Sequence, residues 1–479
     1  MKQTKPNILL INIDDLGWTD LSYMGSQFYE SPRIDAFARE GKIFTSAYAS
    51  AANCAPSRAN MITGVYGDRH GVWTVGSSER GDSKLRRLVP AENKTSIPEG
   101  IPTIASKIKE MGYHTCMVGK WHVSENPLEY GFDENIGGSH AGHPGSYFAP
   151  YKNVHLENTP DGEYLPERLS NEVCSYLDRH TEAPFFLYYA TYLVHTPLQG
   201  EDESIEKYKQ KLQEGGGNDQ HNNPVFAAMI EALDQSIGKV LDHLDKNGLS
   251  DNTLVILTSD NGGVFEISRQ APLRAGKGAY YEGGIRIPFT ARWPNKIPAG
   301  TISNTPISNI DFFPTLLNIA GGNSSELELE GNDISASLFE KESEKPNLRE
   351  LFWHFPIYLE AAAATESHDP IFRARPGSIL RYGQWKLHHY YEDNAYELYN
   401  LTEDIGERNE CSADNLKIFS QMKERLAKRL KKLNFHYEPI ANPEFNLEFE
   451  NEILEKYGAL AKPLPTSEDE WYRVMKFID

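Results

Sequence analysis

The chain has little cysteine, no long apolar run and fewer basic than acidic side chains. Its four cysteines, Cys54, Cys116, Cys174 and Cys411, are irregularly spaced, which argues against a disulfide framework and against a clustered zinc site. No apolar stretch approaches the roughly 20 residues of a membrane-spanning helix. The 48 basic and 68 acidic residues give a net charge of −20, which disfavours nucleic acid and anionic membranes as partners. An anionic substrate would therefore need a site of locally reversed charge.

The first residues also lack the charged, apolar and small-residue regions of a signal peptide. We therefore expect either a cytoplasmic protein or a periplasmic or secreted one whose leader has been removed. The length of 479 residues, 39% of them hydrophobic, predicts a large globular domain and a smaller one.

Strand-like and helix-like segments alternate through the first 320 residues. "NILLINI" and "TLVILTS" are short, mainly apolar runs typical of buried parallel strands, and we predict further strands at "YHTCMVG" and over residues 184–194. An apolar stripe predicts a long helix from Pro224 to about Asn247. The pattern predicts an α/β fold over residues 1–370, with a large, mostly parallel sheet between helices. For residues 371–479 the sequence predicts a smaller C-terminal α+β subdomain with a small antiparallel sheet, a helix and a tail.

Polar residues with useful chemistry follow four of the predicted strands. In open parallel sheets, ligands bind beyond the carboxyl ends of the strands, so we expect these side chains to meet at one rim. They are Asp14 and Asp15, Lys120 and His122, His195, and Asp260 and Asn261.

Two of these groups supply hard oxygen donors, which select Ca²⁺ or Mg²⁺ over zinc or copper. A single Asp or Asn after a strand more often caps a turn, but the pairs Asp14–Asp15 and Asp260–Asn261 together favour a metal site. A divalent cation would also supply local positive charge in this acidic protein.

Cys54 lies in "ANCAPSRANMITG", four residues before Arg58. On a helix the two side chains share a face, and Pro56 suits the first turn of a helix that begins near Cys54. A helix N-terminus lowers the pKa of a thiol, which makes Cys54 a candidate thiolate nucleophile. The alternative is that Cys54 is a small buried apolar residue, which is the usual role of a lone cysteine.

The segment "CAPSR" followed by "ANMITG" resembles the signature of the type I sulfatases, members of the alkaline phosphatase superfamily. In that signature, C-x-P-S-R marks a cysteine that is oxidised to formylglycine. Further blocks of the family are present in order: "INIDDLGW", "VGKWHV", "HTP", "SDNGG", "LRAGKGAYYEGGIRIP" and "DFFPTLLNIAG". The chain is similar in particular to bacterial carbohydrate sulfatases.

This resemblance implies a cofactor, a modification and a role for each site residue. One Ca²⁺, rather than Mg²⁺, would be bound by Asp14, Asp15, Asp260, Asn261 and the modified Cys54. A formylglycine-generating maturation enzyme would act on Cys54, and the aldehyde hydrate would attack sulfur to give a covalent sulfate ester. The implied roles are for Arg58 to hold the hydrate, Lys120 and Lys277 to bind the sulfate oxygens, His195 to protonate the leaving sugar oxygen, and His122 to deprotonate the remaining hydroxyl.

Candidate substrate contacts lie outside these blocks. Histidines, arginines and aromatic rings suit a sulfated sugar, and the candidates are His140, His143, His354, Arg373 and Arg375. The resemblance favours a sulfated polysaccharide, of galactose type, over a small aryl sulfate. Two alternatives stay open: a phosphonate or phosphate diester hydrolase of the same superfamily, and an inactive relative that binds sulfated glycans.

Overall fold

The computed structural model describes residues 5–180, 183–340, 348–360, 366–368 and 371–458. The strands in these ranges are β1 (Asn7–Ile13), β2 (Lys42–Phe44), β3 (Ala47–Tyr48), β4 (His114–Gly119), β5 (Glu134–Ile136), β6 (Phe185–Ala190), β7 (Thr253–Ser259), β8 (Phe289–Arg292), β9 (Thr301–Ser303), β10 (Ile307–Ser308), β11 (Glu350–Phe355), β12 (Leu359–Glu360), β13 (Phe372–Ala374), β14 (Gly377–Tyr382), β15 (Trp385–Tyr390) and β16 (Tyr396–Asn400).

The α-helices of the same ranges are α1 (Pro32–Glu40), α2 (Cys54–Thr63), α3 (Gly67–His70), α4 (Ile104–Glu110), α5 (Leu165–Arg179), α6 (Asp202–Gln213), α7 (Pro224–Lys246), α8 (Glu282–Ile285), α9 (Phe312–Ile319), α10 (Ser335–Phe339), α11 (Leu416–Leu430) and α12 (Leu447–Gly458). None of the helices in the described ranges combines the length and the apolar character that crossing a membrane requires.

Eight strands form the main sheet, in the order β5-β4-β6-β1-β7-β8-β2-β9. In this sheet β8 runs antiparallel to both of its neighbours, β7 and β2, and the other pairings are parallel. Helices cover both faces, so the predicted α/β fold with a large, mostly parallel sheet is confirmed.

The apolar sequence of β1 is explained by burial on both faces. Leu9 and Ile11 point into a core shared with α5 and α7, whereas Ile8 and Leu10 point into a second core shared with α4 and α9. A strand covered on both sides needs apolar residues at every position, not at alternate ones. This explains why β1 and β7 have the bounds predicted from the sequence.

The third predicted strand, over residues 184–194, is shorter than expected because β6 ends at Ala190. Beyond it the backbone leaves the ladder and pairs with Asp14, which accepts a hydrogen bond from the Val194 amide (2.7 Å) and donates one to the Leu193 carbonyl (2.8 Å). The apolar side chains of this bend are buried, which is why its sequence resembles that of a buried strand. The bend brings His195 to the rim of the sheet.

The antiparallel sheet of the second unit has the order β11-β14-β15-β16. Helix α11 covers it, with Met422 and Leu426 packed against Leu380, Leu387 and other apolar residues of the strands. The predicted antiparallel α+β unit is therefore present. Its first strand, β11, precedes residue 370, so the unit is not confined to residues 371–479, and residues 459–479 lie outside the described ranges.

A buried ionic network joins this sheet to the main unit. Lys386 of β15 is fully buried and lies 3.0 Å from both Glu282 Oε1 of α8 and Glu407 Oε1. Burial raises the pKa of Glu282, but Lys386 and Arg286 outweigh burial and hold that pKa at about 2. The network fixes α8, and with it the preceding loop that carries Lys277.

Candidate active site

The carboxyl ends of four adjacent strands, β4, β6, β1 and β7, meet at one rim of the main sheet. Asp14 follows β1 and Asp260 follows β7, while Lys120 follows β4 and His195 lies beyond β6. Each strand is fixed by its ladder, so the rim holds these side chains on a rigid base. The rim therefore has the arrangement expected from the sequence.

Acidic and amide side chains form the centre of this rim. Asp14, Asp15, Cys54 and His195 each place one potential ligand atom within 4.8 Å of the others, and all four residues are buried. Asp260 Oδ1 accepts a hydrogen bond from the Asp15 amide (3.2 Å), and Asn261 Nδ2 donates one to Asp15 Oδ1 (2.8 Å).

The centre fits a hard divalent cation. Burial raises the pKa of Asp14 well above its ordinary value despite the attraction of Lys120, so this lysine does not fully offset the cost of burying the Asp14 charge. Asn261 Oδ1 is buried and accepts no hydrogen bond from any residue that the structure describes, so an amide oxygen is available as a ligand. Asp14, Asp15, Asp260 and Asn261 would hold such an ion through oxygen alone.

Cys54 is the first residue of α2, which begins after Asn53 in extended backbone and ends at Gly64 in the left-handed region. Its Sγ lies 3.6 Å from Asp14 Oδ1 and 3.7 Å from Asp15 Oδ1. Burial raises the pKa of the thiol, although Lys120 and Lys277 act in the opposite direction. The thiol is therefore protonated at neutral pH, which disfavours the interpretation of Cys54 as a simple thiolate nucleophile.

Arg58 lies one turn further along α2, on the same face as Cys54. Its Nε donates to Asp260 Oδ2 at 2.8 Å, and Nη1 donates to the Lys120 carbonyl at 2.8 Å. Its Nη2 lies 3.8 Å from Asp14 Oδ1. Arg58 is 1% exposed, so it fixes α2 against the ends of β4 and β7 and aims the first residue of the helix at the carboxylates.

Two lysines each contact one of the carboxylates. Lys120 Nζ lies 2.7 Å from Asp14 Oδ2, and Lys277 Nζ lies 2.7 Å from Asp15 Oδ2. Together with Arg58 and Asp260, three cations thus face three carboxylates. A bound divalent cation would leave this centre with a net positive charge, which reverses the overall sign of the protein and suits an anion.

His195 is held with one nitrogen toward Lys277. Its Nδ1 contacts the Thr196 carbonyl at 2.8 Å and therefore donates, while Nε2 lies 3.1 Å from Lys277 Nζ and accepts. Burial and the charge of Lys277 lower its pKa, against the pull of Asp15. His195 is therefore neutral and hydrogen-bonded to a proton donor.

His122 is also neutral. Burial lowers its pKa well below the ordinary value, and Lys120 and Arg58 lower it further. Its Nδ1 is buried and has no hydrogen-bond partner among the described residues, and its backbone has a φ of 67°. The ring lies at the cavity wall, 6.2 Å from the ring of His140. An uncharged imidazole with an unused nitrogen can accept a proton.

A cavity of about 320 Å³ opens above Cys54 and includes His122, His195 and Lys277 in its lining. Of the five candidate substrate contacts, His140, His143 and Arg373 line it. The described residues that line this cavity do not include His354 or Arg375. His354 Nδ1 contacts Ser378 Oγ at 2.7 Å inside the antiparallel sheet, and Arg375 pairs with Glu392. The assignment of His354 and Arg375 to substrate stays a prediction, which their placement does not favour.

Sequence reasoning missed two charged residues of this cavity, Arg80 and Glu360. Arg80 Nη2 lies 2.9 Å from Glu360 Oε1, and both side chains are partly exposed. They belong to polar segments without periodicity or motif, more than 250 residues apart. Tertiary pairing alone reveals them.

Fold and site together are those of a hydrolase of the alkaline-phosphatase type, with a buried carboxylate centre that could hold a metal beside several cations. Comparison with known proteins specifies the family. The family model described as "Sulfatase" matches residues 6–322, and that of the C-terminal part of N-sulphoglucosamine sulphohydrolase matches residues 276–435. The chain belongs to the sulfatase family and is a sulfuric ester hydrolase.

Individual relatives agree with this assignment. A sulfatase of Formosa agariphila is 32% identical over 86% of this chain and 85% of that protein. The N-acetylgalactosamine-6-sulfatase of Canis lupus familiaris is 33% identical over 66% of this chain, which spans 62% of the length of that enzyme. The crystal structure of Ps i-CgsB in complex with k-i-k-neocarrahexaose has 26% identity and a TM-score of 0.72, and covers 98% of this chain and 99% of its own.

Proposed function

We propose that this protein hydrolyses sulfate esters on a carbohydrate, using formylglycine made from Cys54. The observation that carries the proposal is the position of Cys54, whose Sγ lies within 3.7 Å of carboxylates of both Asp14 and Asp15. A protonated thiol has no evident use among hard oxygen ligands. A hydrated aldehyde places oxygen there instead, which matches the preference of the centre.

The chemistry balances with the side chains present. A hydroxyl of the hydrate gives its proton to the neighbouring Asp15 carboxylate and attacks sulfur, the bond from sulfur to the sugar oxygen breaks, and a sulfate ester forms on residue 54. His195 gives the leaving oxygen a proton that Lys277 relays from Asp15 across contacts of 2.7 and 3.1 Å, so that Lys277 keeps its charge. His122 then takes the proton of the second hydroxyl, sulfate departs with the electrons of its bond to carbon, and the aldehyde returns.

The cations have a separate task. As charge grows on the sulfate oxygens, Lys120 and Lys277 turn from the carboxylates toward those oxygens and stabilise the transition state. A Ca²⁺ held by Asp14, Asp15, Asp260 and Asn261 would supply further positive charge and lower the cost of deprotonating the hydrate.

Cys54 is 1% exposed, so a maturation enzyme has to reach it before α2 packs onto the sheet. We therefore propose a formylglycine-generating partner that acts on the unfolded or nascent chain.

The substrate class rests on the cavity and on the relatives. The wall of the cavity combines His140, His143, Arg80 and Arg373 with the carboxylate of Glu360. Together these side chains can donate and accept hydrogen bonds around a polyhydroxylated ring. The relatives include a structure in complex with k-i-k-neocarrahexaose, and N-acetylgalactosamine-6-sulfatases. These favour a galactose-type sulfated glycan.

Two assays test the proposal. A panel of defined sulfated mono- and oligosaccharides, read by sulfate release, should show turnover on galactose-type sulfate esters that exceeds turnover on an aryl sulfate. A matched phosphonate ester and phosphate diester measure the first alternative, since the phosphonate monoester hydrolase of Agrobacterium radiobacter has the same fold, with a TM-score of 0.60. Faster phosphonate hydrolysis would contradict the proposal, and glycan binding without sulfate release would favour the inactive relative.

A further inference from the structure

Two histidines and a glutamate form a second cluster of metal-ligating side chains, at the rim opposite to the active site. His114 is the first residue of β4, Glu134 is the first of β5, and His180 caps the C-terminus of α5. Glu134 Oε1 lies 3.2 Å from His180 Nε2 and 3.7 Å from His114 Nε2. One ligand atom from each residue lies within 4.8 Å of the other two. All three side chains are 20–30% exposed, so an ion can enter from solvent.

The same tyrosine orients both imidazole rings. His180 Nδ1 donates to the Tyr176 carbonyl at 3.1 Å, and His114 Nδ1 lies 3.0 Å from the Tyr176 hydroxyl. That hydroxyl donates to the His114 carbonyl at 3.4 Å, so it accepts from His114 Nδ1. Both rings then carry their proton on Nδ1, and both Nε2 lone pairs point toward the Glu134 carboxylate. Two lone pairs and a carboxylate oxygen at this spacing repel one another unless a positive charge lies between them.

We propose that His114, Glu134 and His180 bind a Zn²⁺ ion through the two Nε2 atoms and Glu134 Oε1. Tetrahedral zinc with ligand bonds of about 2.0–2.1 Å separates its ligand atoms by about 3.3–3.4 Å, which the 3.2 and 3.7 Å distances approach. Nitrogen and carboxylate ligands suit zinc. Hydrogen bonds on the non-ligating nitrogens are the usual support of zinc-bound histidines.

The neighbouring charges are compatible with this assignment. Arg179 contacts the other carboxylate oxygen, Glu134 Oε2, at 2.9 Å and leaves Oε1 to the metal. The stacked rings, with centroids 4.0 Å apart, favour uncharged imidazoles over two imidazolium ions. Asp133, a further carboxylate that acts on His114, is engaged by Lys109 and by Thr115, so water would complete the coordination.

A metal here would add a link among three elements, of which β4 and β5 already pair in the main sheet and α5 meets them through side chains. β5 is an edge strand of the main sheet, and an ion shared by β4, β5 and the end of α5 would fix that edge. The proposed site is independent of the catalytic centre, because its residues lie at the amino ends of β4 and β5.

Zinc binding to untagged protein tests the proposal. The measurement is made at pH 7.5 in excess Ca²⁺ and in a Cys54→Ala background, so that the active-site thiol binds no zinc. Equilibrium dialysis should give one Zn²⁺ per chain, and zinc should raise the midpoint of thermal unfolding. His180→Gln and Glu134→Gln should each weaken zinc binding by more than the roughly 10–100-fold that loss of a group supporting a ligand typically costs, whereas His436→Gln, at an exposed histidine, should not.

The unfolding midpoint without zinc reports whether each variant folds, and His114→Gln replaces any variant that does not. Absence of stoichiometric zinc from the parent protein would overturn the proposal. So would equal zinc affinity in the parent and the folded His180→Gln or His114→Gln variants.

Discussion

Replacing Lys277 by methionine removes one cation from the active site and keeps much of its apolar stem. Lys277 Nζ contacts both Asp15 Oδ2 at 2.7 Å and His195 Nε2 at 3.1 Å. The ammonium group is thus placed to stabilise the sulfate oxygens and to relay the proton that His195 delivers. Loss of one preorganised charge-stabilising donor typically lowers kcat by about 10²–10³-fold, or about 3–4 kcal/mol in activation free energy. We expect at least that loss, since two functions depend on the same ammonium group.

The stability of this variant should depend on calcium. Without metal, Lys277→Met leaves the buried Asp15 carboxylate without its ammonium partner, and breaking a buried pair costs about 3–5 kcal/mol. Because a bound Ca²⁺ repels Lys277 and attracts Asp15, the variant should keep or increase its affinity for Ca²⁺. Saturating calcium should therefore recover most of the lost stability but none of the lost rate.

Three measurements test these expectations. Steady-state kinetics on a sulfate ester gives the rate, calorimetric titration gives the affinity for Ca²⁺, and thermal unfolding with and without Ca²⁺ gives the stability. Lys296→Met, at an exposed lysine, is the matched control and should resemble the parent in all of them. A rate within a few-fold of the parent would refute the assigned role of Lys277. Loss of calcium binding would refute the placement of Asp15 as a ligand that the metal and Lys277 share.

Three further changes test separate parts of the structure. Cys54→Ala should abolish sulfate release and leave the thermal unfolding midpoint nearly unchanged, because a side chain that small contributes little packing; unfolding of the variant would show a structural role. Lys386→Met should lower the free energy of unfolding by about 3–5 kcal/mol in urea titrations, because it leaves Glu282 and Glu407 buried without their shared cation. A loss below about 1 kcal/mol, the upper range for exposed ion pairs, would contradict this prediction. Burial lowers the pKa of His354 to about 3, below the ordinary ~6.5 of an unfolded chain, so protonation favours the unfolded state as pH falls. Relative to His354→Gln, the parent should therefore lose about 1.4 kcal/mol of stability per pH unit between pH 6 and 4, and parallel pH profiles in urea unfolding would contradict the burial argument.

Sequence patterns predicted the structure correctly where a single physical cause, such as burial on both faces or helical periodicity, determines it. β1 and β7 are buried on both faces, so uninterrupted apolar runs define their bounds, and the polar residues after them fall at the rim by geometry alone. The spacing of Cys54 and Arg58 likewise fixes their common face on α2, because four residues make about one helical turn.

The remainder depended on contacts between distant segments. Residues 191–194 are as apolar as a strand, but their backbone pairs with Asp14 and bends away. The segment with His354 forms strand β11, whose partner β14 follows more than 20 residues later in the chain. Nothing in the local sequence indicates that the His354 imidazole is buried against Ser378 of that partner strand. The Arg80–Glu360 pair and the lysine–aspartate contacts also require the folded chain, since no local pattern encodes a partner so far away.

The mass of the peptide that carries residue 54, measured in purified protein whose turnover is known, tests the central claim most directly. We predict the mass of an aldehyde or its hydrate at that position, in a fraction of the chains that rises in proportion to specific activity when the maturation enzyme is co-expressed. Full sulfatase activity in protein whose residue 54 is entirely unmodified cysteine would contradict the account.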